Sequence, residues 1–222
     1  MCILAVCVSC GRKTEKFASK EHGKKFSSWE LYYNADEYDV YWPSVRLSEP
    51  VGGALTVIKS TYNNWIWENR LIRRDTISMT AYFKPIIYSV KSRNDAKYYN
   101  SIRIYVNDAD NEFWPGLEHN FTFNEGKKDS VSFSAKAVDQ SYFNPTKEIS
   151  EKIIELLSQK DSVSIQITFK GSSVEGVYNF NIKGTPELKK ALKINNKRKI
   201  QAQEEFEKED AKVAKQLEDI FS

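Results

Sequence analysis

Beyond its tenth residue this chain has no cysteine: Cys2, Cys7 and Cys10 are all three in 222 residues. A disulfide framework or a cysteine-built zinc site in the body is thereby excluded. Histidine is almost as scarce, with His22 near the start and His119 alone in the body. Such a set assembles neither a Cys–His pair nor a multi-histidine metal site. A serine triad through His119 lacks the Gly-x-Ser-x-Gly elbow, so His119 reads as a strand-end residue. The nine glycines are scattered, and no phosphate-cradling loop is present. No apolar run approaches the roughly 20 residues of a spanning helix, in keeping with a mean hydropathy of -0.57. Excess charge is missing too. Residues 11–25 carry six basic and two acidic groups and residues 195–222 six and seven, out of 33 and 30 in all, which leaves 21 of each sign in 26–194. A neutral body lacks the electrostatic footprint of nucleic-acid binding, and no nucleic-acid partner is expected.

What is present points to β structure. The 41% hydrophobic and 13% aromatic content suits a folded body with a real core. The clearest stretch is 161–192. Val163, Ile165, Ile167 and Phe169 alternate with Ser164, Gln166 and Thr168, the period-two mark of a strand buried on one face. A loop around Gly171 and Gly176 follows, and the alternation resumes at Tyr178, Phe180 and Ile182, which predicts a hairpin. Thr185-Pro186-Glu187 then opens a helix with a capping hydroxyl and a proline at N1. Upstream, short strands are predicted at 29–33, 38–42 (stopped by Pro43), 54–58 after a Gly52-Gly53 turn, 62–67, 77–83, 86–90 beyond an edge or bulge at Pro85, 101–107, 119–123 and 130–135. Asn, Asp and Gly separate them, as in an antiparallel sandwich or partly open barrel. A helix is predicted at 146–158, with Ile149, Ile153, Ile154 and Leu157 on one stripe. Beyond 195 the composition shifts to a charged amphipathic helix with Phe206, Val213, Leu217 and Ile220 on a sparse face. It either docks lightly or projects.

The first ten residues, MCILAVCVSC, followed by GRKTEK, resemble the end of a bacterial lipoprotein signal peptide. The apolar core is 2–8, the small residue before cleavage is Ser9, and Cys10 stands where that family carries its lipid. Cys7 stands at -3, where the family favours Leu, Val or Ile, and no Lys or Arg follows Met1. The resemblance implies a signal segment 1–9, acylation of Cys10, and a membrane partner reached through an N-terminal lipid anchor. The location it implies is the bacterial cell envelope, facing periplasm or cell surface, with the cytoplasm as the alternative. Residues 10–25, poor in apolar groups, read as a flexible basic tether. Residues 26–194 read as the β-rich domain and 195–222 as the helical tail.

Three chemistries find candidate residues. Asp108, Asp110 and Glu112 place oxygens at alternate positions, as a calcium loop does, but the EF-hand glycine and glutamate positions hold Phe113 and His119. A solvated turn accounts for the same residues. Trp65 and Trp67, with Trp42 and Trp114, could stack on sugars beside Asn63, Asn64 and Glu68, or could pack in a core. A glycosidase needs two acids at a set separation, and no motif selects a pair. The expectation is therefore a non-enzymatic binding domain without a cofactor, recognising an envelope protein or glycan. The alternatives are a carbohydrate-binding module on Trp65 and Trp67 and a carboxylate-only hydrolase.

Overall fold

The computed structural model describes residues 13–65, 68–91, 98–108, 116–138 and 142–221, with backbone only at 63–65, 68–70, 72, 108 and 219–221. In chain order the elements are α1 (Lys13–Glu21), β1 (Lys25–Phe26), β2 (Trp29–Ala35), β3 (Tyr41–Leu47), β4 (Val51–Trp65), β5 (Glu68–Lys91), β6 (Tyr98–Asp108), β7 (His119–Phe123), β8 (Val131–Ala135), α2 (Lys147–Gln159), β9 (Val163–Lys170), β10 (Val174–Ile182) and α3 (Glu187–Phe221). All strand pairings are antiparallel, in the order β1-β2-β3-β5-β4-β10-β9-β7-β8, with β6 on the opposite edge of β5. This is the mainly antiparallel β architecture that the alternation predicts. It is one open, sandwich-like sheet of ten strands among the described residues. No helix among them is long and apolar enough to cross a membrane.

The sheet curls. Phe83 on β5 and Phe123 on β7 are four strand spacings apart along the sheet, about 19 Å if it were flat. Their rings nevertheless lie with centroids 6.5 Å apart. The inward residues of both ends, including Leu55, Phe83, Phe121, Ile167 and Tyr178, therefore meet in one core. Two glycines permit the close approach of aromatic rings inside this curl. A Cβ on Gly53 would lie 2.3 Å from the Phe180 ring and from the Asn179 carbonyl oxygen. A Cβ on Gly176 would lie 2.3 Å from the Phe169 ring of its cross-strand partner. Both glycines belong to strands, and not to the turn and loop that composition suggests.

Strand β5 is the hinge of the architecture. Its 24 residues pair with β4 from Glu68 to Phe83 and then, on the same edge, with β3 at Ile86 and Ile87. Pro85 falls where one neighbour has ended and the next has not begun, so its missing N–H costs no ladder bond there. The short strands expected at 54–58, 62–67, 77–83 and 86–90 are thus two long ones joined as a hairpin. Pro43 likewise lies inside β3, opposite Tyr33, at a point where β5 has not yet joined the other edge.

The helices correct two domain boundaries. Residues 13–21 of the expected tether form α1, with Thr14 and Ala18 buried. Polar partners on α3 substitute for the missing apolar ones. The Thr14 amide donates to Glu205 Oε2 at 3.0 Å, and Arg198 donates to both oxygens of Glu21 while stacking 3.6 Å from the Phe17 ring. The expected break at 195 is also absent, since α3 runs unbroken for 35 residues. Asn195 is fully buried and its amide donates to Ser89 Oγ on β5 at 3.1 Å. Leu188, Ala191, Leu192 and Ala202 are buried with it, whereas Leu217 is half exposed. The helix docks through its first half and stands clear beyond Phe206. Helix α2 begins where the stripe predicts, with Thr146 Oγ1 accepting from the Ile149 amide at 3.4 Å.

Candidate functional site

The outward face of β2, β3, β5 and β6 carries a groove of about 260 Å³. Period-two alternation builds it. Leu31, Tyr33, Val45, Ile87, Ile102 and Ile104 are buried on the inner face. Tyr32, Trp42, Arg46, Tyr88, Arg103 and Tyr105 consequently line the outer one, with Asn34, Ser44 and Ile86 among them. Cross-strand pairing sets Glu30, Arg46, Ile86 and Arg103 in one row across four strands. Helix α3 adds Lys199 at the end of the groove.

The cations lie on aromatic faces. Arg46 sits 3.6 Å above the Tyr32 ring, Lys199 Nζ 3.8 Å above Trp42, and Arg103 4.7 Å from both Tyr88 and Tyr142. The Trp42 indole is held from behind: its Nε1 donates to Asp36 Oδ2 at 2.6 Å, and Phe206 packs 5.8 Å from it. Asp36 Oδ1 meanwhile accepts from the amides of Tyr38 and Val40 at 2.9 Å, closing the turn that presents the tryptophan.

Charge compensation is uneven. Arg46 Nε donates to Glu30 Oε1 at 2.8 Å. No Asp or Glu belongs to the groove lining. Arg103 keeps an Nε donor that is shut off from water and makes no hydrogen bond. Burial alone holds the Lys199 ammonium down, to about 8. Burial opposes the Arg103 charge, but a hydrogen bond to Tyr88 and the neighbouring tyrosines outweigh it and raise its pKa, so the guanidinium stays charged with its Nε bond unmade and no acid in the lining.

The residues singled out from sequence are for the most part not described. Cys10, Trp67, Asp110, Glu112 and Trp114 lie outside the described residues. Trp65 and Asp108 are described by backbone only, Trp65 opposite Glu68 at the end of β4 and Asp108 opposite Ala81 at the end of β6. Of that aromatic set, Trp42 lines the groove. Among the described residues no three His, Cys, Asp or Glu side chains group as a metal site would require. His119 opens β7, buried between Phe143 and Phe169 with Nδ1 3.0 Å from the Leu117 carbonyl, and burial lowers its pKa despite that contact. The Arg46, Arg103 and Lys199 set was not singled out. Alternation marks 42, 44 and 46, and 103 and 105, as outward-facing, but only the register brings these strands together. Comparison of the chain with protein-family models, curated proteins and solved structures finds no match.

Proposed function

We propose that this protein is a lipid-anchored domain of the bacterial cell envelope that binds its ligand without transforming it, and that the cation–aromatic groove is its recognition site. The observation that carries the reading is the groove's three cations against one acid, Glu30, which pairs with Arg46 alone. Charged groups held out of water without partners are costly, and they persist at sites that a ligand completes. The groove lining has no pair of carboxylates for acid–base hydrolysis, which favours recognition over chemistry at this place.

The anchor rests on the lipobox-like 1–10. Helix α1 begins at Lys13, three positions beyond Cys10. Three residues reach about 10 Å when extended, so an acyl group on Cys10 would hold the body close to the bilayer. Exposed Lys13, Lys16 and Lys20 of α1 would then face the headgroups. Intact-mass measurement of the protein expressed with its native upstream sequence tests this, beside Cys10→Ala. A mature chain starting at Cys10 with acyl mass that the variant lacks is the expected result. An unmodified, unprocessed chain removes the anchor.

A further inference from the structure

We propose that the groove takes a single-ring sugar bearing an oxyanion, a carboxylate or a phosphate monoester, with the anion held by Arg103 and Lys199. This rests on the reading of the groove as the recognition site and adds the class of ligand.

Four features select that chemistry. The first is the unmade bond: Arg103 Nε is a buried donor without an acceptor. A guanidinium edge offers parallel N–H groups that match a carboxylate or phosphate. The second is preorganisation. Rings of Tyr88 and Tyr142 on β5 and beside β6 hold the guanidinium, each 4.7 Å away, so little side-chain freedom is lost on binding. The third is the charge count. Glu30 satisfies Arg46 and leaves Arg103 and Lys199 without an acid in the lining, enough for one compact anion and too little for a polyanion. The fourth is shape. A groove of about 260 Å³, with Arg46, Lys199 and Arg103 over the faces of Tyr32, Trp42 and Tyr88, has room for one ring whose polar rim meets those cations. Exposed Asn34 at its edge offers both a donor and an acceptor to ring hydroxyls.

The test is titration of the full-length protein with glucuronate, glucose 6-phosphate, glucose and inorganic phosphate, followed by calorimetry and by NMR of the aromatic side chains. One or both charged sugars should bind at least about tenfold more tightly than glucose or inorganic phosphate, as charge-assisted hydrogen bonds require. Arg103→Gln and Lys199→Gln should each weaken that binding by about tenfold or more, and Lys128→Gln, in an exposed turn, should not. Which charged sugar wins distinguishes carboxylate from phosphate. Should Arg103→Gln fail to fold, Lys199→Gln and Arg103→Lys, which keeps the charge and loses the fork, carry the test. Glucose binding as tightly as its charged analogues overturns the anion and leaves the groove as a recognition site. Inorganic phosphate binding as tightly as the sugar phosphate overturns the ring. No probe shifting the Trp42 or Tyr88 signals overturns this proposal and the groove reading together.

Discussion

Replacing Lys199 with methionine should make the protein more stable at neutral pH, and the gain should vanish in alkali. Burial lowers the ammonium pKa from its ordinary 10.5 to about 8, so carrying the charge at pH 7 costs the folded state about 2 kcal/mol once screening by the water that still reaches the group is discounted. The Trp42 face 3.8 Å below the nitrogen returns about 1–2 kcal/mol of that as a cation–π contact. A net gain of up to about 1 kcal/mol is therefore expected from Lys199→Met, whose side chain keeps the length and the apolar stem. The sign follows from proton counting. Between about pH 8 and 10.5 the unfolded chain holds a proton at this site that the folded chain has released, so wild-type stability rises with pH through that window. Below about pH 8 the penalty is fully present. Urea unfolding of both proteins from pH 6.5 to 11 measures the difference, in which every other titrating group cancels. A variant less stable at pH 7, or a difference that does not change with pH, would refute the argument that an uncompensated charge is stored in the groove.

Other substitutions probe the frame that holds the groove. Gly53→Ala should destabilise by about 1–3 kcal/mol in urea unfolding, because the new Cβ would meet the Asn179 carbonyl oxygen and the Phe180 ring at 2.3 Å. Thr146→Ala removes the cap that accepts from the Ile149 amide and should cost about 0.5–1 kcal/mol in the same assay, with α2 still formed. Arg198→Ala should release α1, seen as faster amide exchange at 13–21 while β9 and β10 stay protected; uniform exchange changes would contradict a local latch. Burial raises the Glu21 carboxyl, but the bonds from Arg198 and Tyr33 outweigh it and set the pKa below 4.5. The latch should accordingly hold above the ordinary carboxylate range and be lost as pH falls below it, through the lower pKa of the folded carboxyl, again by exchange at 13–21.

Local pattern was legible wherever burial follows sequence period. The β9–β10 hairpin, the α2 stripe and the start of α3 after Thr185-Pro186 needed only neighbours in the chain. It failed wherever a polar residue finds a distant partner. Asn195 and Asn196 look like the start of a solvated tail, yet Ser89, more than a hundred residues away, bonds to both. Residues 13–21 have too few apolar groups for docking, yet Glu205 and Arg198 receive them from across the chain. Strand length was misjudged for a related reason. Gly52-Gly53 and Pro85 are turn-formers by propensity, and here Gly53 serves the approach of Phe180 and Pro85 the change of partner along β5.

The groove shows the same division in one place. Within β6, burial of Ile102 and Ile104 forces Arg103 and Tyr105 outward, and within β3 burial of Val45 and Leu47 does the same for Arg46. Each half of the site is thus readable from its own strand. What no strand contains is the pairing of Val45 with Ile87 and of Ile87 with Ile102, which sets the row from Glu30 to Arg103. That register is fixed by the core, because a slip of one residue would turn the buried isoleucines to water and the arginine inward. The apolar alternation that makes the sheet foldable therefore also holds Arg46 and Arg103 on one face, either side of Ile86. The desolvation of Lys199 is borne by a core large enough to bear it, which is why the groove can keep a charge that its own side chains leave without an acid.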